Sequence, residues 1–190
     1  MIDQEVISAK RPTFPRNDAV VASDAHPWSR GLDLSQSTAI IVVDEIHALG
    51  SFCLRQIKNH FPRFFRNVIF VGGQPPLTSA FFDEDCRPLP RLLTQYVREC
   101  RSRLELPASF VIRTGHDPLQ ATYEACQEVL RLCPKAIIIR AVLTFKNPRW
   151  YHELLHRQPE QALRDRFSAS GLPLVTFSLF VDDERPGLDE

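Results

Sequence analysis

Residues 40–50, IIVVDEIHALG, decide the fold class because a buried strand passes directly into a helix there. Four consecutive apolar residues are typical of a strand covered on both faces, since a strand with one solvated face alternates apolar and polar residues. From Ala48 and Leu49 onward, apolar residues recur at helical spacing. Asp44 stands between the two elements, where its carboxylate can accept hydrogen bonds from open helix amides. The stretch predicts a strand–helix unit with Asp44 as the helix N-cap.

The same alternation of strand and helix recurs along the whole chain. Helical segments separate five β-rich runs, which are Thr38–Val43, Val68–Val71, Ser109–Arg113, Ala136–Arg140 and Leu174–Val181. Asp117 and Pro118 mark the third helix start, since a capping carboxylate is followed by a proline whose fixed φ suits the first helical position. Strands that alternate with helices predict a parallel sheet with right-handed crossovers. We therefore predict an α/β fold: a three-layer, doubly wound sheet of about five parallel strands.

Composition predicts one globular domain with extensions at both ends. The chain has 190 residues, of which 44% are hydrophobic, and this is enough for a sizeable core. Residues 1–36 are rich in proline and lack a sustained period, which favours a linker or extended arm. We assign 37–184 to the α/β domain and 185–190 to a C-terminal tail.

Charge and cysteine content limit the partners and the compartment. Lysine plus arginine equals aspartate plus glutamate at 23 each, so no general attraction to nucleic acid or an anionic membrane is predicted. A local basic cluster comprises Arg55, Lys58, Arg63 and Arg66. Its simplest interpretation is a solvent-exposed face of the protein. Five cysteines without close pairs favour free thiols in a reducing compartment. No apolar run approaches the ~20 residues needed to span a bilayer, so we expect a soluble cytoplasmic protein.

The acidic end of the first strand raises the question of nucleotide hydrolysis. Asp44-Glu45 could hold magnesium, as in nucleic-acid helicases, only beside a loop ending in Gly-Lys-Ser/Thr that binds the phosphates. That tripeptide occurs nowhere in the chain. The Gly-x-Gly-x-x-Gly turn of a dinucleotide fold is also absent after the first strand. An NTPase is therefore a remote alternative.

Residues 152–156, HELLH, fit the short zinc-peptidase pattern of two histidines on one helix face with a glutamate beside the first. A third ligand is not evident, with Glu160 the nearest candidate. The serine hydrolase elbow Gly-x-Ser-x-Gly is absent from the chain. We therefore favour structural histidines and predict no metal site and no catalytic residue, with a zinc peptidase as the other remote alternative.

A ligand site, if present, is expected where the strands end. Doubly wound sheets bind ligands beyond the carboxyl ends of their strands, at the point where strand order reverses. Gly72-Gly73, expected in the loop after the second strand, could bring amides close to a ligand, although a turn that requires positive φ is the simpler interpretation. The candidate ligand-binding residues are Asp44, His47, Gly72, Gly73, Thr114, Gly115, His116 and Arg140.

Four stretches carry a family resemblance: KNHFPRFFRNVIFVGG (58–73), CPKAIIIRAVLTF (133–145), RWYHELLH (149–156) and ALRDRFSASGLPLVTFSLFV (162–181). In order and spacing they resemble the cytoplasmic C-terminal domain of bacterial permeases of the amino acid–polyamine–organocation (APC) superfamily, which includes potassium importers. That domain resembles a universal stress protein, with a doubly wound, Rossmann-like fold. The resemblance covers roughly 38–181 and explains HELLH without zinc.

The resemblance implies a non-catalytic regulatory or interaction domain at the inner face of the plasma membrane. Its implied partner is the membrane domain of an amino acid or potassium permease, in the same chain or associated with it, and pairing into a homodimer is also implied. The alternative is a universal-stress-like sensor of a nucleotide or cyclic dinucleotide. The chain departs from the family at Ala48-Leu49-Gly50, where Gly-Leu-Gly is usual, and at Arg140-Ala141-Val142, where Ala-Gly-Lys is usual. No cofactor is implied.

Overall fold

The computed structural model describes residues 26–43, 47–76, 89–145 and 162–181. The strands are β1 (Thr38–Val42), β2 (Asn67–Gln74), β3 (Ala108–Thr114), β4 (Ala136–Phe145) and β5 (Leu174–Val181). The helices are α1 (His47–His60), α2 (Leu89–Arg103) and α3 (Pro118–Leu132), and residues 162–169 form a further helical segment, α4. A short 3-10 helix, Pro27–Ser29, precedes β1. In these ranges every helix is too short or too polar to cross a lipid bilayer.

The sheet has the order β3-β2-β1-β4-β5, and each neighbouring pair is parallel. This confirms the predicted doubly wound α/β fold. From β1 the chain moves outward through β2 to β3, then returns across β1 to β4 and β5. The order of the strands therefore reverses between β1 and β4, which makes this pair the switch point of the sheet.

Two hydrophobic cores lie on opposite faces of the sheet. Ile41 and Phe70 point into the first core, which α1 and α2 cover. Ile40 and Val71 point into the second core, which α3 and α4 cover. Alternate residues of one strand enter different cores because successive side chains point to opposite faces. This is why the strand sequences are apolar at nearly every position.

The described part of the predicted linker packs against the second core. Trp28, Leu32 and Leu34 contact this core, and Trp28 Nε1 donates a hydrogen bond of 3.3 Å to Glu128 Oε1. The buried Asn67 side chain donates from Nδ2 to the carbonyl of Asp33 at 2.7 Å. Residues 26–36 therefore form part of the packed structure, whereas 1–25 and 182–190 lie outside the described residues.

Two strands are longer than their sequences indicated. β2 continues to Gln74, so Gly72 and Gly73 are strand residues and the prediction that they lie in the following loop was wrong. Neither has a positive φ; among the described glycines the positive values belong to Gly31 and Gly171. β4 continues to Phe145, five residues past the predicted end at Arg140. Pairing with β3 and β5 extends both strands, and this pairing overrides the weak strand preference of glycine.

The described cysteines are free thiols buried in the two cores, and they comprise Cys53, Cys100, Cys126 and Cys133. Burial raises the pKa of Cys100 to about 12 and that of Cys133 to about 11. Because the thiolate is the nucleophile, these groups are nearly inert near neutral pH.

We expect the buried thiols of the native protein to react with a thiol reagent at pH 8 only as fast as the protein unfolds. Cys86, which lies outside the described residues, is replaced by serine for this measurement.

The raised pKa values also make the free energy of unfolding depend on pH. Between about pH 9 and pH 11 the unfolded chain binds fewer protons than the folded protein, so the free energy of unfolding falls by about 1.4 kcal/mol per pH unit for each thiol. Denaturant titrations across this range measure the slope. Immediate native reaction of these thiols, or stability that is flat up to pH 11, would show that they are not buried.

Candidate functional site

The switch point is an uneven edge at which β4 and β5 project beyond β1. Ile41 of β1 pairs with Ile139 of β4, so Arg140 lies level with Val42, where β1 ends. Beyond this level β4 and β5 stay paired as far as Phe145 and Val181. The strand ends therefore form a step beside β1, at the switch point where doubly wound sheets bind ligands.

Arg140 is the candidate residue that the structure places at this step. Its side chain is 4% exposed, and the neighbouring Ile139 and Ala141 point into the first core. Alternation along the strand therefore directs Arg140 toward the face covered by α3 and α4. A guanidinium is charged at every physiological pH, and a buried charge is retained only with compensating interactions. Arg140 has an interaction partner in the structure, and it brings a permanent positive charge to the switch point.

Gly72 and Gly73 are explained by close packing between β2 and two helices. A Cβ atom on Gly73 would overlap the carbonyl oxygen of Pro118 and lie 2.7 Å from Thr122 Oγ1. A Cβ atom on Gly72 would lie 2.8 Å from Leu89 Cδ2. Both glycines are also paired with β3. Their missing side chains allow α2 and α3 to approach the sheet.

Thr114 is the last residue of the edge strand β3, and Gly115 and His116 follow it. Gly115 donates its backbone N–H to the carbonyl of Gln74 at 3.0 Å, and the His116 side chain is exposed. The predicted helix cap beside them is confirmed, because Leu119 N donates to Asp117 Oδ1 at 2.9 Å. Three strand spacings separate β3 from β4, which is roughly 14 Å. The structure therefore does not bring this group together with Arg140.

The remaining sequence candidates are described in part or not at all. His47 is the first residue of α1, and only its backbone position is described. Asp44, predicted both as helix cap and as ligand-binding residue, lies outside the described residues, as do 152–156 and Glu160. Within the described ranges no three histidine, cysteine or acidic side chains are grouped as metal ligands.

A second concave surface, which the sequence did not indicate, lies along α1 and α2 and encloses about 470 Å³. Glu99 stands in it between two donors, Ser51 Oγ at 2.8 Å and Arg103 Nη1 at 2.9 Å. Arg55 and Lys58 also line it, together with an apolar floor that includes Leu54 and Leu104. These residues come from helices far apart in the sequence, so the sequence showed the basic cluster around Arg55 but not the concave surface that it lines.

Comparison of the chain with models of protein families, with curated proteins and with solved structures finds no match.

Proposed function

We propose that this protein is a non-catalytic regulatory domain that acts at the cytoplasmic side of an APC-type amino acid or potassium transporter. The observation that carries the proposal is the all-parallel sheet of order β3-β2-β1-β4-β5. The sequence resemblance implies a universal-stress-like domain with a doubly wound sheet, and the observed sheet is doubly wound. Agreement between an implied fold and an observed one supports the relationship, while activity still has to be argued from the site.

The described sites also favour recognition over chemistry. Gly72 and Gly73, the glycine pair best placed to approach a phosphate, are occupied by contacts with α2 and α3. The groove between α1 and α2 presents cations around Glu99, whose carboxylate is already held by Ser51 and Arg103. Such a domain regulates a transporter by contacting one transport state more favourably than another, since only a difference in affinity shifts a conformational equilibrium.

The proposal is tested by isolating the protein in its native complex. Membranes from cells that carry an affinity tag on the chain are cross-linked, solubilised in mild detergent and purified, and the recovered polypeptides are identified. We expect a transporter with many membrane spans, either covalently continuous with the domain or cross-linked to it. Recovery of the domain entirely in the soluble fraction, with no transporter cross-linked, counts against the proposal.

A second function, sensing of a nucleotide or cyclic dinucleotide, is favoured by Arg140 alone. A buried guanidinium at the switch point can bind phosphate in bidentate geometry. A ligand present at 100 times its dissociation constant would stabilise the fold by about 2.7 kcal/mol. Thermal denaturation with a panel of nucleotides therefore detects it, and Arg140→Met should abolish the shift. Unchanged melting with every nucleotide removes this second candidate and leaves the first intact.

A further inference from the structure

The turn between α1 and β2 exposes an aromatic ring between two cations. Phe64 is 50% exposed, and the side chains of Arg63 and Arg66 on either side of it are also exposed. The Phe64 ring packs edge-on against the buried ring of Phe65, with centroids 4.9 Å apart. Only one other large hydrophobic side chain in the described residues is as exposed, Phe180. The turn therefore holds an apolar side chain in solvent while its neighbour anchors the backbone in the core.

The charge around this turn has one sign. Between His47 and Pro76 the sequence contains no acidic residue, and its four cations are those of the basic cluster, Arg55, Lys58, Arg63 and Arg66. In the part of the chain that the structure describes, Lys58, Arg63 and Arg66 form no ion pair. The partial negative charge at the end of α1 accounts for Lys58 in its last turn. It does not account for Arg63 and Arg66, which follow the helix.

The same end of the sheet collects further cations. In a parallel α/β fold the helices that return the chain all finish at the amino ends of the strands. The last turn of α2 carries Arg101 and Arg103, and that of α3 carries Arg131. Acidic side chains at this end include Glu99, which pairs with Arg103, Asp33, which already accepts hydrogen bonds from Ser35, and the exposed Glu105. Positive charge is thus concentrated at one end of a chain whose net charge is zero.

Arg63 occupies a backbone conformation that favours glycine. Its φ is 62°, in the left-handed region, where a side chain is sterically unfavourable. Strained positions of this kind are found at functional sites more often than elsewhere. Glycine would relieve the strain and would also remove a cation from the turn. The backbone conformation therefore favours glycine at this position, whereas the positive charge of the turn depends on arginine.

We propose that the turn surface, defined as Lys58, Arg63, Phe64 and Arg66, docks the protein on an anionic lipid membrane. The three cations would lie at the headgroups while the Phe64 ring enters the boundary between headgroups and acyl chains. Basic residues around an exposed aromatic ring are the combination that binds such interfaces. A single exposed aromatic ring in a turn favours a membrane over single-stranded nucleic acid, which stacks successive bases on several aromatic side chains along a groove. The proposal is independent of the transporter assignment, because it concerns the lipid alone.

The test is sedimentation of the 190-residue protein with vesicles of phosphatidylcholine, with and without phosphatidylserine. We expect binding only to vesicles that contain phosphatidylserine, and loss of binding as salt screens the charges. Each cation removed should weaken binding about five-fold, so Arg63→Gly with Arg66→Gln should weaken it about twenty-five-fold. Because glycine relieves the strain at position 63, Arg63→Gly should not lower the melting temperature, and lost binding then reports the charge.

Two matched variants control for general effects of charge and of aromatic exposure. Arg164→Gln removes an exposed cation from α4, and Phe180→Ala removes the other exposed phenylalanine, at the opposite end of the sheet. Both should bind vesicles as the parent does, whereas Phe64→Ala should bind about ten-fold more weakly. Equal binding by all variants, equal binding to neutral vesicles, or no binding at low salt overturns the proposal. Tighter binding to single-stranded RNA than to anionic vesicles would assign the surface to nucleic acid instead.

Discussion

Gly73→Ala is expected to destabilise the protein by about 3 kcal/mol, the upper range for overpacking a closely packed interior. The added methyl group would overlap the carbonyl oxygen of Pro118 and lie 2.9 Å from the backbone N of Thr122. Both are main-chain atoms, so a change of side-chain rotamer cannot relieve the overlap. The first turn of α3 would have to move away from β2. Denaturant titration of parent and variant measures the loss, which is a large share of the 5–15 kcal/mol typical of a domain.

Gly115→Ala is the matched control for this prediction. Its Cβ atom would lie 3.3 Å from Ala121 Cβ and 3.7 Å from the carbonyl oxygen of Asp117. Its φ does not require glycine either, so its stability should stay within about 1 kcal/mol of the parent. If both alanine variants are equally stable, α3 does not approach β2 closely at Gly73.

Phe70→Ala is expected to cost about 3–5 kcal/mol, since it removes a fully buried aromatic side chain from a central strand. The ring stacks on Tyr96 of α2, with centroids 5.5 Å apart and an angle of 26° between the planes. Its loss would leave a cavity between β2 and α2 that neither main chain can close.

The comparison variant is Phe180→Ala. Phe180 is 63% exposed, so the same substitution removes little buried surface and should change stability by no more than about 0.5 kcal/mol. Both variants remove the same side chain, so a difference between their free energies of unfolding reports the burial of the ring and not its chemistry. Comparable losses at the two positions would mean that the Phe70 ring is no more buried than that of Phe180.

The sequence predicts the layers of this fold because burial on both faces leaves a strong signature. Residues such as Ile40 and Ile41 enter different cores, so neither face of β1 needs polar side chains. The start of α3 is equally readable, since Asp117 caps it through a local hydrogen bond that depends on residues two apart. Such features depend on residues that are close together in the sequence, so they can be predicted from a single sequence.

Strand ends and sites were harder to predict because they depend on contacts distant in sequence. Gly72 and Gly73 end an apolar run, and nothing local shows that β3 pairs with them or that α3 presses against Gly73. In the same way, Glu99 meets Ser51 only because α1 and α2 pack side by side. Gly115 and His116 after β3 and Arg140 in β4 were all predicted to bind a ligand, but the strand order keeps the two groups apart.

The central claim, regulation of a transporter by this domain, is tested most directly by measuring flux. The transporter recovered with the tagged chain is reconstituted into vesicles, with and without the domain, and the uptake of its solute is measured over a range of effector and salt concentrations. The account predicts that removing the domain changes the rate of uptake or its dependence on conditions, because the domain stabilises one transport state over another. Identical uptake with and without the domain under every condition, by a transporter that assembles normally, would contradict it.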